Sequence, residues 1–482
     1  VKVTRLHLNW QLAPDPCRYL YDNPQTAAYL EKYLAAYQPD LVHVTSCVTL
    51  SSSILATASA LGIPLVTSLT DFWFICPQIK LIKGSGELCD GQVEPVECLK
   101  CMLWDAKAYR WPKKILPETA VNHLLEEISR QPALTRKPGL RGMAFDMQER
   151  RTLLSSRLAV CDRILVKSKY VKNIFLAHGA PAGKITLLPD GEASTWKDLL
   201  PKRTPDDHTG FTTLRIGYLG HIVPVKGVHV LLEAFQTGFN DPMSNAVSPR
   251  ATLRVYGDLA HDPGYTKSIE TQAAGDPRIQ LCGKFTRDQL PDIMAGLDVL
   301  VVPSTWPETF NHVIREGFIA GIPVIGSELG AIPEAIEPGV NGYLFPAGDS
   351  QALARLLVEL ANHPELLDRL RANIPPVKTL EQQTEEMAAL YQAVIQEKQA
   401  LKQYQIRDTP PQDSPDLVQF ASQAFKAKWT PDFVAWKYFQ NPAGRFYGKV
   451  AEQTNTFPGN QLDEDQTRPL GFYGNLPVRM KL

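Results

Sequence analysis

Two glutamates in an E-x7-E spacing, Glu308 and Glu316, frame a stretch suited to holding an anionic or hydroxyl-rich ligand. Residues 299–345 open on Val299, Leu300, Val301 and Val302, an apolar run bounded by Pro303 and Ser304, which predicts a buried parallel strand. Phe310, Val313, Ile314, Gly317 and Phe318 follow at i, i+3, i+4, i+7 and i+8, the apolar stripe of a helix. Gly321 and Pro323 close that helix before a strand at 323–325. Glu308 stands in the loop ahead of the helix, and Glu316 lies two turns in, on the flank of the stripe. The amides of Thr309, Phe310 and Asn311 are expected to lack intrahelical partners, at the end where the helix dipole favours an anion. Taken singly, Glu308 is equally a helix cap and Glu316 an ordinary flank residue.

Thiols make a second candidate site. Four of the eight cysteines, Cys76, Cys89, Cys98 and Cys101, lie close in sequence, and Cys98 and Cys101 have the C-x2-C spacing of a zinc knuckle. Thiolates at Cys76 and Cys89 would complete a tetrahedral structural zinc site, with Zn–S bonds of about 2.3 Å. The turn-forming run Lys83, Gly84, Ser85 and Gly86 suits a compact metal loop. The alternative is four reduced thiols with no ligand, and disulfides are disfavoured because no export signal is expected.

The elements that must position these groups follow a β-α-β rhythm. Strands are predicted at 3–8, 41–44, 64–68, 163–167 and 185–188, with helices at 26–37, 54–61 and 169–176 between them. A second series has strands at 214–219, 252–256, 279–281 and 299–302, with helices at 228–235 and 263–274. Amphipathic helices follow at 350–362, 364–373 and 380–398. Alternation of this kind predicts parallel, doubly wound sheets. The uncharged stretch 41–70 is long enough to be mistaken for a membrane span, but Gly62 and Pro64 break it into strand, helix and strand.

The stretch 299–345 resembles the donor-site region of glycosyltransferase family 4, the retaining GT-B enzymes. The residues that carry the resemblance are Pro303-Ser304, Glu308-Thr309-Phe310, Glu316, Gly321-Ile322-Pro323-Val324 and Gly330-Ala331-Ile332-Pro333-Glu334. Asn311 and Ala331 replace two glycines of the family pattern. The resemblance implies an α/β GT-B fold, two Rossmann-like domains with parallel sheets facing across a cleft. It places an N-terminal acceptor-side domain at 1–194, whose first strand is expected to be missing, and a nucleotide-sugar-binding domain with a crossing helix at 195–402.

Resemblance also implies roles. Lys226, in Gly220-His221-Ile222-Val223-Pro224-Val225-Lys226-Gly227, matches a cation that neutralises the leaving diphosphate, and His221 stands where the family has an arginine. Glu316 would bind ribose hydroxyls, Glu308 the sugar hydroxyls, and Gly283, Lys284 and Phe285 would face the nucleotide base. Gly330 and Ala331 would close over the sugar through main-chain amides. Where the family has a His-Asp pair, this chain has Thr70 and Asp71, and Asp190 replaces the usual Asn of a Pro-Asn-Gly turn. No metal is required for catalysis if these groups neutralise the leaving group.

Residues 403–415 read as a proline-rich linker. Within 416–482, residues 433–444 and 471–477 resemble the start of a GNAT-type N-acyltransferase domain, a partial α+β module lacking the acyl-CoA loop. The acidic run at 463–465 reads as solvated charge rather than a metal-binding D-x-D.

Bulk composition narrows the partners. The 482 residues are 44% hydrophobic and 21% charged, with a net charge of -1, which argues against a nucleic-acid binder. Lys107, Tyr109, Arg110, Trp111, Lys113 and Lys114 form a basic, aromatic stretch that suits either an anionic membrane surface or a solvated helical face. The expected partners are a nucleotide-sugar donor and a glycan or lipid-linked acceptor. The expected location is the cytoplasm, with peripheral contact at the inner face of the membrane. Two other readings stay open: a nucleotide-sugar-binding protein without turnover, and a fragment of a bifunctional glycosyltransferase and acyltransferase.

Overall fold

The computed structural model describes residues 3–8, 13–92, 94–104, 106, 109, 114–129, 131, 147–200, 213–239, 251–402, 404–408 and 449–453. The chain divides into two units, Val1–Leu390 and Tyr391–Leu482. The first unit holds two parallel sheets.

The first sheet has four strands in the order β1 (Val42–Val44), β2 (Leu65–Leu69), β3 (Arg163–Val166) and β4 (Ile185–Leu187). Apolar runs make these strands because both faces are covered, as parallel sheets require. Leu65, Val66, Ile164 and Val166 are fully buried. Local chemistry starts the crossover helices. Asn23 caps Pro24–Tyr37 by accepting from the amides of Gln25 and Thr26, and Ser168 caps Lys169–Ala177 by accepting from Val171. The strand predicted at 3–8 does not form. Those residues take no regular structure and Val3 is exposed, because alternation alone makes no strand without a ladder partner.

The second sheet has six strands: β5 (Leu214–Leu219), β6 (Ala251–Tyr256), β7 (Ile279–Gly283), β8 (Val299–Val302), β9 (Val324–Ser327) and β10 (Gly342–Phe345). Their spatial order is β10-β9-β8-β5-β6-β7, every pair parallel. Strand order therefore reverses between β5 and β8, and the carboxyl ends of strands at such a switch point open a crevice where ligands of α/β sheets bind. Gly220 and His221 leave the end of β5, and Pro303 and Ser304 leave the end of β8.

A long helix, Leu380–Lys402, starts against the turn that follows β4. The amide of Leu380 donates to the Glu192 carbonyl at 3.0 Å, and the Glu192 amide donates to Lys378 at 2.9 Å. Gly191 allows this approach, since a Cβ there would stand 2.1 Å from the Thr379 carbonyl oxygen.

In the second unit, β11 (Tyr404–Asp408) and β12 (Lys449–Gln453) form an antiparallel pair in which Tyr404 faces Gln453 and Asp408 faces Lys449. Within the linker expected at 403–415, residues 404–408 are thus a strand, as the alternation of Tyr404 and Ile406 with polar residues permits. The acyltransferase-like stretches 433–444 and 471–477, and the acidic run 463–465, lie outside the described residues.

Candidate functional site

At the crevice between β5 and β8, the Lys226 ammonium meets Glu308. Lys226 ends a short turn, Pro224–Lys226, and the following Gly227 takes a φ of +71°. A side chain at Gly227 would place its Cβ 1.9 Å from the Pro303 carbonyl oxygen, so glycine is what lets the lysine loop lie against the loop after β8. The Thr305 amide ties the two loops by donating to Val225 at 2.9 Å. Lys226 Nζ then reaches Glu308 Oε1 at 2.6 Å, and Ser304 Oγ donates to the same oxygen at 2.6 Å. Glu308 is only 4% exposed, so an ionised carboxylate there needs both partners.

These groups line a cavity of about 360 Å³. It brings together Gly220, His221, Lys226, Glu308, Thr309, Phe310 and Asn311, all singled out from sequence. It also includes Ser304, part of the Pro-Ser pair read from sequence, and two residues that the sequence reading gave no role, Lys167 and His312. Lys167 follows β3 directly and is paired with Asp190. The signal was a lysine at the carboxyl end of an apolar run, the sheet edge where ligands bind. His312 opens the helix His312–Ile319 and donates from Nδ1 to Glu192 at 2.6 Å.

The helix begins later than predicted. Phe310 is buried in the turn ahead of it, and Asn311 is the cap, accepting from the Ile314 amide at 3.3 Å. Its φ of +65° favours Gly or Asn, which accounts for Asn at a position where the family pattern has glycine. Arg315 stacks on Phe310 with its guanidinium carbon 3.8 Å from the ring centroid and donates to the Phe310 carbonyl. Burial lowers its pKa to about 10, against the pull of Glu192, Glu334 and Asp190.

The remaining expected residues do not line this cavity. Glu316 sits farther along the helix, its carboxyl pushed up by burial and by Glu192, against Arg287 and His312. Arg287 stands 3.6 Å from it. Asp71 follows β2; burial raises its carboxyl, opposed by the Trp73 amide, which donates to it at 2.8 Å. Gly283 ends β7, two strands away from β5, and Lys284 and Phe285 follow it, Lys284 exposed and Phe285 edge-on to Tyr256 at 6.1 Å. The Ala331 amide donates to the Glu308 carbonyl at 2.8 Å and so braces the Glu308 loop.

The zinc expectation is not supported. Among the described residues, no three His, Cys, Asp or Glu side chains are arranged to hold a metal ion. Cys76, Cys89, Cys98 and Cys101 are free thiols. Burial pushes Cys98 up to about 11 and also raises Cys89 and Cys101. Spacing alone missed this because a C-x2-C interval fixes distance along the chain, not whether the sulfurs meet in the geometry that a metal needs. Tyr109 of the basic aromatic stretch is buried, while residues 107, 110, 111 and 113 lie outside the described residues. Among the described residues no helix is long and apolar enough to cross a membrane. A larger cavity, about 730 Å³, lies between residues 4–8 and the helix Pro24–Tyr37, lined by Leu6, Leu8, Tyr29 and Tyr33 with no charged group.

Two parallel α/β sheets, the second with its switch-point crevice, make this the GT-B fold. The chain is similar to a glycosyltransferase structure from Rickettsia africae, with a TM-score of 0.52 and 15% identity over 81% of this chain and 84% of that one. It is similar to the Anabaena protein Alr3699/HepE in complex with UDP, with a TM-score of 0.51 and 18% identity over 76% and 82% of the two chains. Residues 213–363 match the family profile described as glycosyl transferases group 1.

Among curated proteins, a D-inositol 3-phosphate glycosyltransferase of Streptomyces avermitilis is 27% identical over 226 residues, 44% of this chain and 47% of the relative. A phosphatidyl-myo-inositol mannosyltransferase of Mycobacterium leprae is 35% identical over 147 residues, 30% of this chain and 36% of the relative. The match thus spans less than half the length of these curated relatives.

Proposed function

We propose that the chain is a retaining glycosyltransferase that moves a sugar from a nucleoside diphosphate donor to an acceptor hydroxyl. One observation carries the reading: Lys226, His221 and the buried Glu308 converge on one cavity at the switch-point crevice. The group 1 profile over 213–363 supports it, as do relatives named for glycosyl transfer and a fold neighbour that binds UDP.

In this reading 1–194 is the acceptor side and 195–402 the donor side. Glu308 binds the hydroxyls of the transferred sugar, and Glu316 those of the ribose. As the anomeric C–O bond to the diphosphate breaks, negative charge builds on the leaving phosphate. Lys226 neutralises it and His221 donates a hydrogen bond to it, and one such donor contributes about 3 kcal/mol in a water-poor site. The acceptor oxygen attacks from the same face, and its proton passes to the leaving phosphate. The lipid-linked substrate in the name of the mycobacterial relative supports a role in cell-surface glycan or glycolipid synthesis, with peripheral membrane contact.

A second reading, donor binding without turnover, is favoured by Thr70 and His221 standing where the family pattern has His and Arg. Nucleotide release from a panel of UDP-, GDP- and ADP-sugars decides between them. Release from at least one donor with an acceptor present supports transfer. Binding without release or transfer selects the second reading, and neither binding nor release removes both.

A further inference from the structure

Trp306 meets Lys226 and the first-sheet half of the molecule at once. It stands in the loop after β8, two residues before Glu308, and is partly buried. The Lys226 ammonium lies 5.2 Å from its ring centroid, over the indole face. Its Nε1–H donates to the Lys80 carbonyl at 2.7 Å, and its ring meets Phe72 edge-on at 6.4 Å. Lys80 and Phe72 both belong to the segment after β2, in the first-sheet half. A neighbouring bond, from Thr309 Oγ1 to the Thr70 carbonyl at 3.1 Å, joins the same two segments.

The backbone on the Lys80 side is unusual. Ile79 and Leu81 have φ of +71° and +51°, a conformation that costs a β-branched or bulky side chain dearly. Between these two residues the Lys80 carbonyl accepts from the indole. Lys226 has Glu308 as its short-range anchor, and a phosphate arriving in the cavity competes with that carboxylate for the ammonium. The indole face attracts the cation without competing for its N–H bonds, and tryptophan is the strongest of the aromatic partners.

We propose that Trp306 is a positioning residue that holds Lys226 at the leaving group, with the Lys80 carbonyl fixing the angle of its ring. This rests on the donor-site reading above. The indole orients the ammonium while Glu308 gives up part of its hold to the diphosphate, so its contribution grows as charge develops. The first-sheet half thereby sets the strength of leaving-group neutralisation on the other half.

The test compares Trp306→Phe, Trp306→Leu, Lys226→Gln and the double variant Trp306→Leu/Lys226→Gln, each checked for a wild-type-like circular dichroism spectrum. Trp306→Leu is expected to lower kcat about tenfold with the donor KM within about twofold, the pattern of an interaction realised at the transition state. Trp306→Phe keeps a ring face without the tether and is expected to recover part of that loss. In the Lys226→Gln background, Trp306→Leu is expected to cost no further activity, because the two residues act as one unit. Additive losses, a loss confined to KM, or full activity in Trp306→Leu would overturn the proposal. A wild type that neither binds UDP nor releases nucleotide fails at the donor-site reading itself, which separates the two failures.

Discussion

Glu316 shows how a carboxylate proposed to bind ribose can work against the fold that carries it. Burial raises its carboxyl above the ordinary value of 4.5, so the native state keeps this proton to higher pH than the unfolded chain does. Stability from this group is therefore full below about pH 4.5 and is lost as pH rises through the raised value. Glu316→Gln removes the ionised form. It is predicted to melt at an equal or higher temperature than wild type at pH 7.5, with the difference shrinking toward pH 4.5, while nucleotide release is abolished. Thermal melts at the two pH values and a release assay check this. A lower melting temperature at pH 7.5 would mean that Arg287, 3.6 Å away, more than offsets the burial. At this scale the sequence marked the chemical types well and their company poorly. Glu308, Lys226 and His221 were legible because strand ends and glycines fix where they stand. Lys167 and His312 were not, because their partners Asp190 and Glu192 are set by a turn whose packing no local pattern encodes.

Elements were easier to read than their ends. Apolar runs gave nearly every strand of the two sheets, since a buried parallel strand must be apolar on both faces. Residues 3–8 failed because alternation describes a face and says nothing of a pairing partner. The start of the helix His312–Ile319 shifted because Asn311 leaves the helical region of φ while its side chain caps the first turn. That double role gives a substitution series with a definite order. Asn311→Gly keeps the backbone conformation at no steric cost and is expected to lose only a few tenths of a kcal/mol. Asn311→Ala loses the cap and meets the positive φ with a Cβ, together about 2 kcal/mol. Chemical denaturation of the two variants measures the order, and equal losses would show that φ, not the cap, is immaterial here.

Across the whole first unit, the two halves are joined by a contact that neither half's sequence announces. Glu334, at the end of the loop that begins at Gly330, accepts from the amides of Lys169 at 2.8 Å and Tyr170 at 2.6 Å. These are the first residues of the helix Lys169–Ala177, so a carboxylate from the second-sheet half supplies the negative charge that this helix start in the first-sheet half favours. The same loop braces Glu308 through the Ala331 amide, which links this junction to the cavity. Local patterns fixed both the loop and the helix, but a bond spanning 165 positions depends on how the halves meet. Two charge-assisted bonds at an exposed junction contribute about 1–2 kcal/mol together, less than the sum of two buried ones because water competes for the same groups. Glu334→Ala is predicted to leave each sheet folded and to loosen the junction. Hydrogen exchange at the amides of Lys169 and Tyr170 should then rise about tenfold, with donor KM raised and the far-ultraviolet spectrum unchanged. Glu334→Gln, which keeps one accepting oxygen, should fall between. Unchanged exchange at those two amides would show that water replaces the carboxylate without loss, and that the junction is held by Trp306 and Thr309 instead.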